Sequence, residues 1–362
     1  MRRRSRVLLL SLAAAILGAL GLPERTSRAG DAPAAPAAPA APPVARGDRV
    51  LGLALSEPEQ GGYDAAFRLA RSVGVTETSL SLAWDDLEPT PGAFASPWVA
   101  AAAAYYPDRG MRLTLVVHAI DTTADRRPKD LRTLRWDDPA VVDRYAAVVK
   151  WVLDRTKRVP LAALSLGNEV DVRLGADAKA WAAYTRLVRE VRRRVKAAHP
   201  DLVVGVKVTA AGLLADAADL DAVFATYYPL DDGFRVRDPA TVATTFAALA
   251  TAGGKRPVYL LEVGCPSGEG CESSPDLQRR FVEAVFVAWD AHAARVPAVS
   301  FCWMHDQAPA AVDGMTTYYG LAAPAFRAFL GTLGLRAREG PGRDKPAFTA
   351  LTAAAKARGF VR

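Results

Sequence analysis

From residue 49 onward the chain repeats one alternation. A short run rich in β-branched and aliphatic residues is followed by a longer segment whose apolar positions recur at helical spacing. RVLGLALS (49–56) precedes YDAAFRLARSVG, VTETSLSLAW (75–84) precedes SPWVAAAAAYYPDRG, and RLTLVVHAI (112–120) precedes DPAVVDRYAAVVKWVLDRTK. ALSLGNEVD (163–171) precedes ADAKAWAAYTRLVREVRRRVKAA, and LVVGVKVTA (202–210) precedes an irregular Ala/Asp/Leu-rich segment. AVFATYYPL (222–230) precedes PATVATTFAALATAG, and PVYLLEVG (257–264) precedes SPDLQRRFVEAVFVAWDAHAAR. AVSFCWMHD (298–306) leads to APAFRAFLGTLG and a last helical stretch, KPAFTALTAAAKA.

Eight strand–helix units in roughly 310 residues imply a parallel sheet buried under helices. The count of eight favours a closed (β/α)8 TIM barrel as a single α/β domain. An open doubly wound sheet is the alternative, but LALSEPEQGG after the first strand is not the Gly-rich phosphate turn such a sheet usually carries. In a barrel, catalytic side chains come from the C-terminal ends of the strands and the loops that follow.

The residues before 49 read differently. Four Arg in MRRRSR are followed by a 16-residue apolar run, VLLLSLAAAILGALGL, and then by Ser27-Arg28-Ala29, with small residues placed for cleavage. Residues 1–29 therefore read as an export signal, which makes the protein secreted or periplasmic; the run is short for a membrane span, and an uncleaved anchor is the alternative. Residues 30–48 contain the Ala-Ala-Pro repeat DAPAAPAAPAAPPVA, an extended spacer reaching on the order of 40 Å. Residues 49–362 form the expected domain.

The formal charge of +7 raises the question of a nucleic-acid partner. Residues 1–48 carry seven Arg against three acids, so the remaining chain is only near +3. In RLVREVRRRVK (186–196), Val188, Val191 and Val195 recur at helical spacing, and the Arg form the outer face of that helix. Nucleic-acid binding is thereby disfavoured. The three cysteines show no zinc spacing; Cys265 and Cys271 close a short loop that would permit a disulfide in an oxidising compartment, a question that spacing leaves open.

Polar residues gather where strands four and seven end. The fourth closes on Gly167-Asn168-Glu169 and the seventh on Leu261-Glu262-Val263-Gly264. An unpaired carboxylate is costly to bury after an apolar strand. Either each Glu pairs with a nearby Arg or Lys, or the two face each other across the barrel mouth. The second arrangement is what glycoside hydrolysis needs, with one carboxyl to protonate the leaving oxygen and another to attack or to activate water.

These segments resemble those of glycoside hydrolase clan A. GNEV is similar to the clan's fourth-strand Asn-Glu motif, whose Glu is the general acid/base, and Glu262 to its seventh-strand nucleophile. LEVGCPSGEG resembles the E-x-G-x-P-S-x-G stretch of endo-β-1,3-glucanases, as does SLGNEV their fourth strand. TYYPL (226–230) looks like the sixth strand of endo-β-1,4-galactanases, and AWDDLEPTPGAF (83–94) like the W-x-x-x-E-P-x-x-G turn of other clan members. The resemblance implies a retaining hydrolase of β-linked oligo- or polysaccharide, working by a Glu/Glu double displacement with no metal or cofactor. It also implies that Asn168 bonds the sugar 2-hydroxyl, with an Asx-type cap as its structural alternative, and that Trp303 is a stacking platform, with core packing as its alternative.

Tyr227 and Tyr228 face opposite ways on a regular strand, and Tyr228 is placed for a hydroxyl near Glu262. His118, ending the third strand, either contacts substrate or is a satisfied structural His. Trp84 either lines the mouth or packs beneath the Glu88-Pro89 turn, while His305 and Asp306 suit loop packing. The chain departs from the clan pattern in having no Arg at the end of the second strand, and segments 121–136 and 306–322 are individual to it. HExxH, G-x-S-x-G and P-loop motifs are absent. The expected protein is a monomeric glycosidase with a saccharide partner. A catalytically retired barrel that binds saccharide or a cell-surface partner, and a transglycosylase, are the rival readings. N-terminal sequencing of the mature protein should begin close to Gly30; a product starting at Met1 would overturn the export reading.

Overall fold

A computed structural model describes residues 42–209 and 220–361. The segment expected to be an export signal, most of the expected spacer and the Ala/Asp/Leu-rich segment after the fifth strand lie outside them.

The barrel strands are β1 (Val50–Leu53), β2 (Glu77–Ala83), β3 (Arg112–His118), β4 (Leu161–Ser165), β5 in two segments (Val203–Gly205 and Lys207–Val208), β6 (Val223–Tyr227), β7 (Val258–Val263) and β8 (Ala298–Phe301). All neighbours are parallel. β8 pairs with both β1 and β7, so the sheet runs on through the last barrel strand rather than ending there. The first segment of β5 pairs with β4 and the second with β6, with Val206 between them. This interrupted strand completes the closed eight-stranded barrel.

Helices α1 (Gly62–Ser72), α2 (Pro97–Tyr105), α3 (Pro139–Arg155), α4 (Ala178–Ala198), α5 (Val242–Ala252) and α6 (Pro275–Ala291) pack outside. The chain announces several starts: Ser96, Asp138 and Ser274 each precede a proline at the first helical position, and each side chain accepts a backbone N–H of the first turn. The basic residues of α4 project outward as the valine spacing implies, and Arg186, Arg192, Arg193 and Arg194 are ion-paired to Asp137, Asp221, Glu190 and Asp143.

One difference from the sequence reading follows β8. Segment 309–319, taken above as part of an individual loop, is helix α7 (Pro309–Tyr319), closed by Gly320 at φ +65. Two further helices, α8 (Pro324–Thr332) and α9 (Pro346–Ala357), follow. Val312 and Met315 of α7 and Phe326, Phe329 and Leu330 of α8 build a separate apolar cluster with Trp303. The propensity of PAAVDGMTTYY is unremarkable; burial of this one face supplies the stabilisation.

The spacer also reaches further into the domain than its composition suggests. The Val44 N–H donates to Asp290 (3.3 Å), and the Arg46 N–H to the Arg358 carbonyl (2.7 Å). Asp290 is clamped by Arg49 (2.7 Å) and Arg358 (2.8 Å), all three largely buried. Removing the shared carboxylate strands two buried guanidinium groups. Asp290→Ala should lower unfolding free energy by about 3 kcal/mol, measured in urea, whereas replacing exposed Asp143 should leave it nearly unchanged.

Candidate active site

The segment after β4 turns sharply. Gly167 sits at φ +148, and a Cβ there would run into Val170 and the Tyr184 hydroxyl, so only glycine fits. Glu169 adopts the left-handed region (φ +46, ψ 49) at the start of a single helical turn, Val170–Leu174. The extension of β3 holds this turn in place. The Asn168 N–H donates to the Ile120 carbonyl and the Thr122 N–H to the Asn168 carbonyl, both at 2.9 Å. The Thr122 hydroxyl then donates to Glu169 Oε2 (2.9 Å).

Glu169 is 0% exposed and Glu262 4%. They stand at the same, C-terminal end of the parallel barrel. Burial pushes the Glu169 carboxyl up to about 8, and the charge of Glu262 pushes it in the same direction. Burial is the larger cause and repulsion from Glu262 the second. Glu169 Oε1 has no hydrogen-bond partner among the described residues.

Glu262 has different surroundings. Its Oε1 is ion-paired to the ammonium of Lys207, and its Oε2 accepts from the Tyr228 hydroxyl (2.9 Å). Burial raises its carboxyl as well, while Lys207 and Tyr228 pull the other way. Of the two acids, Glu262 is the one in contact with the ammonium, whose attraction favours its ionised form.

A cavity of about 1210 Å³ opens beside Glu262, walled by Trp303, Cys302, Ser81, Trp98 and Tyr318 among others. The Cys302–Trp303 peptide is cis. Glu169, Asn168 and His118 are fully buried and do not line this cavity. Asn168 donates through Nδ2 to Asp121 (2.6 Å), and Asp121 in turn accepts from Tyr318 of α7 (2.8 Å). A carboxylate only accepts, so the amide orientation is fixed with Oδ1 unpartnered among the described residues. His118 is equally unpartnered at both ring nitrogens; burial pushes it down to about 4, against the pull of Asp121, and leaves it neutral at pH 7.

The structure therefore brings together Glu169, Glu262, Asn168, Tyr228, Trp303 and His118 at one barrel end. Trp84 belongs elsewhere. It is wholly buried in the main core against Tyr145, and its indole donates to Glu88 (2.7 Å). Glu88 also accepts from the Gly92 N–H (2.6 Å) and pairs with Arg144 (2.9 Å), so the W-x-x-x-E-P-x-x-G resemblance marks a structural turn. His305 Nδ1–H donates to the Ser56 carbonyl (2.7 Å), and Asp306 pairs with Lys345 (2.7 Å), both as loop packing. All three cysteines are free and buried; Cys265 and Cys271 turn to different carbonyls, of Pro266 and Ala325.

Sequence reasoning missed Lys207, Thr122, Asp121 and Tyr318. Lys207 had a signal: a lone cation inside VVGVKV, on a strand buried on both sides, must find an anion. Thr122, Asp121 and Tyr318 had none, because their contacts join loops far apart in the chain. Among the described residues no cluster of His, Cys, Asp and Glu is arranged to hold a metal ion, and no helix is long and apolar enough to cross a membrane.

Neither a family model nor a curated protein sequence matches the chain. Solved structures do. An exo-β-1,4-mannosidase, Op5Man5 from Opitutaceae bacterium strain TAV5, superposes with a TM-score of 0.64 at 18% identity over 86% of this chain, which spans 59% of that protein's length. GH5_18 from Streptomyces cattleya, in complex with GlcNAc, gives 0.63 at 17% identity, covering 87% of this chain and 80% of its own. A family 39 glycoside hydrolase from Bacteroides cellulosilyticus WH2 gives 0.58 at 16% over 86% and 64%. The fold is the (β/α)8 barrel of these glycoside hydrolases.

The raised carboxyl of Glu169 has a consequence for stability. An acid whose folded pKa lies above its ordinary value of 4.5 contributes stability that is complete below about 4.5 and is lost as pH rises through about 8. Urea unfolding should therefore show Glu169→Gln gaining on the wild type by roughly 3 kcal/mol between pH 5 and pH 8. A constant difference across that range would mean that the carboxyl ionises normally.

Proposed function

We propose that this protein is an exported glycoside hydrolase of the retaining type, acting on β-linked oligo- or polysaccharide. The observation that carries the reading is the pair of buried carboxyl groups, one after β4 and one on β7, with opposed surroundings. Glu262 has an ammonium and a phenol to hold it as an anion; Glu169 has burial and a neighbouring anion to keep it protonated. In this reading Glu262 attacks the anomeric carbon while Glu169 protonates the departing oxygen, and Glu169 then takes a proton from the water that releases the sugar.

Other features support it. Trp303 offers an aromatic wall beside the nucleophile in a cavity large enough for saccharide. The apolar run and Ala/Pro spacer suit a protein delivered to where polysaccharide is found. The β-mannoside chemistry named for the mannosidase neighbour makes mannosides the first substrates to test.

A second reading, a barrel that binds saccharide without cleaving it, draws support from Glu169 being wholly buried and away from the lining of the cavity. The mature domain should be assayed against β-linked mannans, glucans, galactans and their aryl glycosides, with the product anomer followed by proton NMR. Turnover with a β-product first is expected. Glu262→Ala should lose at least about 10⁴-fold in kcat while still binding saccharide, and Glu169→Ala should retain activity on aryl glycosides whose leaving group needs no proton. Binding without turnover on every substrate would favour the second reading, and an α-product first would exclude the retaining mechanism.

A further inference from the structure

Lys207 enters the site from β5, three strands round the barrel from the second strand, whose end carries no Arg. The residues of β2 that line the cavity, Ser79, Leu80, Ser81, Leu82 and Ala83, include no cation. The ammonium comes instead from the second segment of β5, 1% exposed, with the Lys207 N–H anchored on the Ser165 hydroxyl of β4 (3.1 Å). Its charge faces groups from every neighbouring strand. Glu262 of β7 is its ion-pair partner, Glu169 follows β4, Cys302 follows β8, and neutral His118 ends β3. Tyr228, after β6, and Asp121, after β3, act on the same Glu262 carboxyl.

Charge conservation in the double displacement gives this position a task. At the start Glu262 is an anion and Glu169 carries a proton. In the first step a Glu262 oxygen bonds to the anomeric carbon as the glycosidic C–O bond breaks. The electron pair stays on the leaving oxygen, which takes the Glu169 proton. Glu262 is now a neutral ester and Glu169 the anion. In the second step water oxygen bonds to the anomeric carbon and its proton goes to Glu169, while the ester C–O bond breaks and its electron pair returns to Glu262. One negative charge thus alternates between two carboxyl groups, and a buried charge needs a partner at both stages.

We propose that Lys207 is a positioning residue that balances this single charge in both steps, pairing with Glu262 in the free enzyme and with Glu169 in the glycosyl-enzyme. The proposal rests on the double-displacement reading above. Lys207→Met keeps the side chain to its fourth atom and removes the ammonium with its charge. Both carboxyl groups then lose the attraction that favours their ionised forms. The acidic and basic limbs of the kcat/KM profile should both move to higher pH, the acidic one by about one unit or more, with kcat down about 100-fold and KM changed little. Tyr228→Phe, which removes a neutral donor from the other oxygen, should move the acidic limb much less. A rate loss with both limbs in place would overturn the proposal.

A titration of the Glu carboxyl carbons by ¹³C NMR separates this result from the function itself. If no glycoside is turned over but the Glu262 resonance titrates at higher pH in Lys207→Met than in the wild type, the hydrolase reading fails and the charge pairing stands. If Lys207→Met does not fold, the ¹⁵N resonance of the wild-type Lys207 amine decides. An ammonium across pH 5–8 supports the proposal, and a neutral amine facing a protonated Glu262 refutes it.

Discussion

Burying ionisable groups at the end of an apolar barrel is expensive unless each meets a partner, and this constraint organises the site. Lys207 and Glu262 are buried together and satisfy one another. Glu169, a few residues past the neighbouring strand, has no cation of its own and meets the same constraint by holding its proton. Two chemically identical side chains thereby meet the same constraint in different ways. Tyr228, Cys302 and His118 crowd around them, and His118 is likewise held neutral by burial.

Backbone arrangements that look irregular serve this constraint. The interruption of β5 at Val206 lets its first half bond to β4 and its second half to β6, and Lys207 begins that second half. The positive φ of Glu169 directs the chain into a new helical turn just where the carboxyl must meet Thr122. A left-handed non-glycine residue costs of order 1–3 kcal/mol and persists only where its surroundings over-determine it. Here the bonds from the 120–122 segment provide that determination.

The return from β8 is coupled to the same place. Helices α7 and α8 bury their apolar faces around Trp303, and Tyr318 on α7 reaches Asp121, which fixes the amide of Asn168. The wall of the cavity and the orientation of a buried polar group are therefore set by one element. Small inward residues on the early strands complete the picture. Gly52 lies so close to Ser300 that a side chain would collide, and Ala54, Ser79 and Ser81 leave space where bulkier residues would fill the barrel.

The amino-acid sequence by itself determined the elements. Strand runs and helical spacing are local patterns, and all eight strand positions correspond to strands of the barrel; proline-led helix starts with Ser or Asp caps are local as well. It also placed Glu169 and Glu262 at the ends of their strands, because a carboxyl after an apolar run stands out against its neighbours. Only the tertiary structure decided which groups meet. Lys207 and Glu262 are 55 residues apart, and Tyr318 and Asp121 are 197 apart. Their pairing follows from barrel closure and from the return of α7 over the mouth, and no local pattern encodes it. The same holds for Trp84, for which the sequence left open a place at the mouth or beneath the Glu88-Pro89 turn; contact with Glu88 turns its indole into the core. Local sequence sets which face and which end a side chain occupies; the partner that fixes its charge, orientation and exposure is chosen by packing between distant segments.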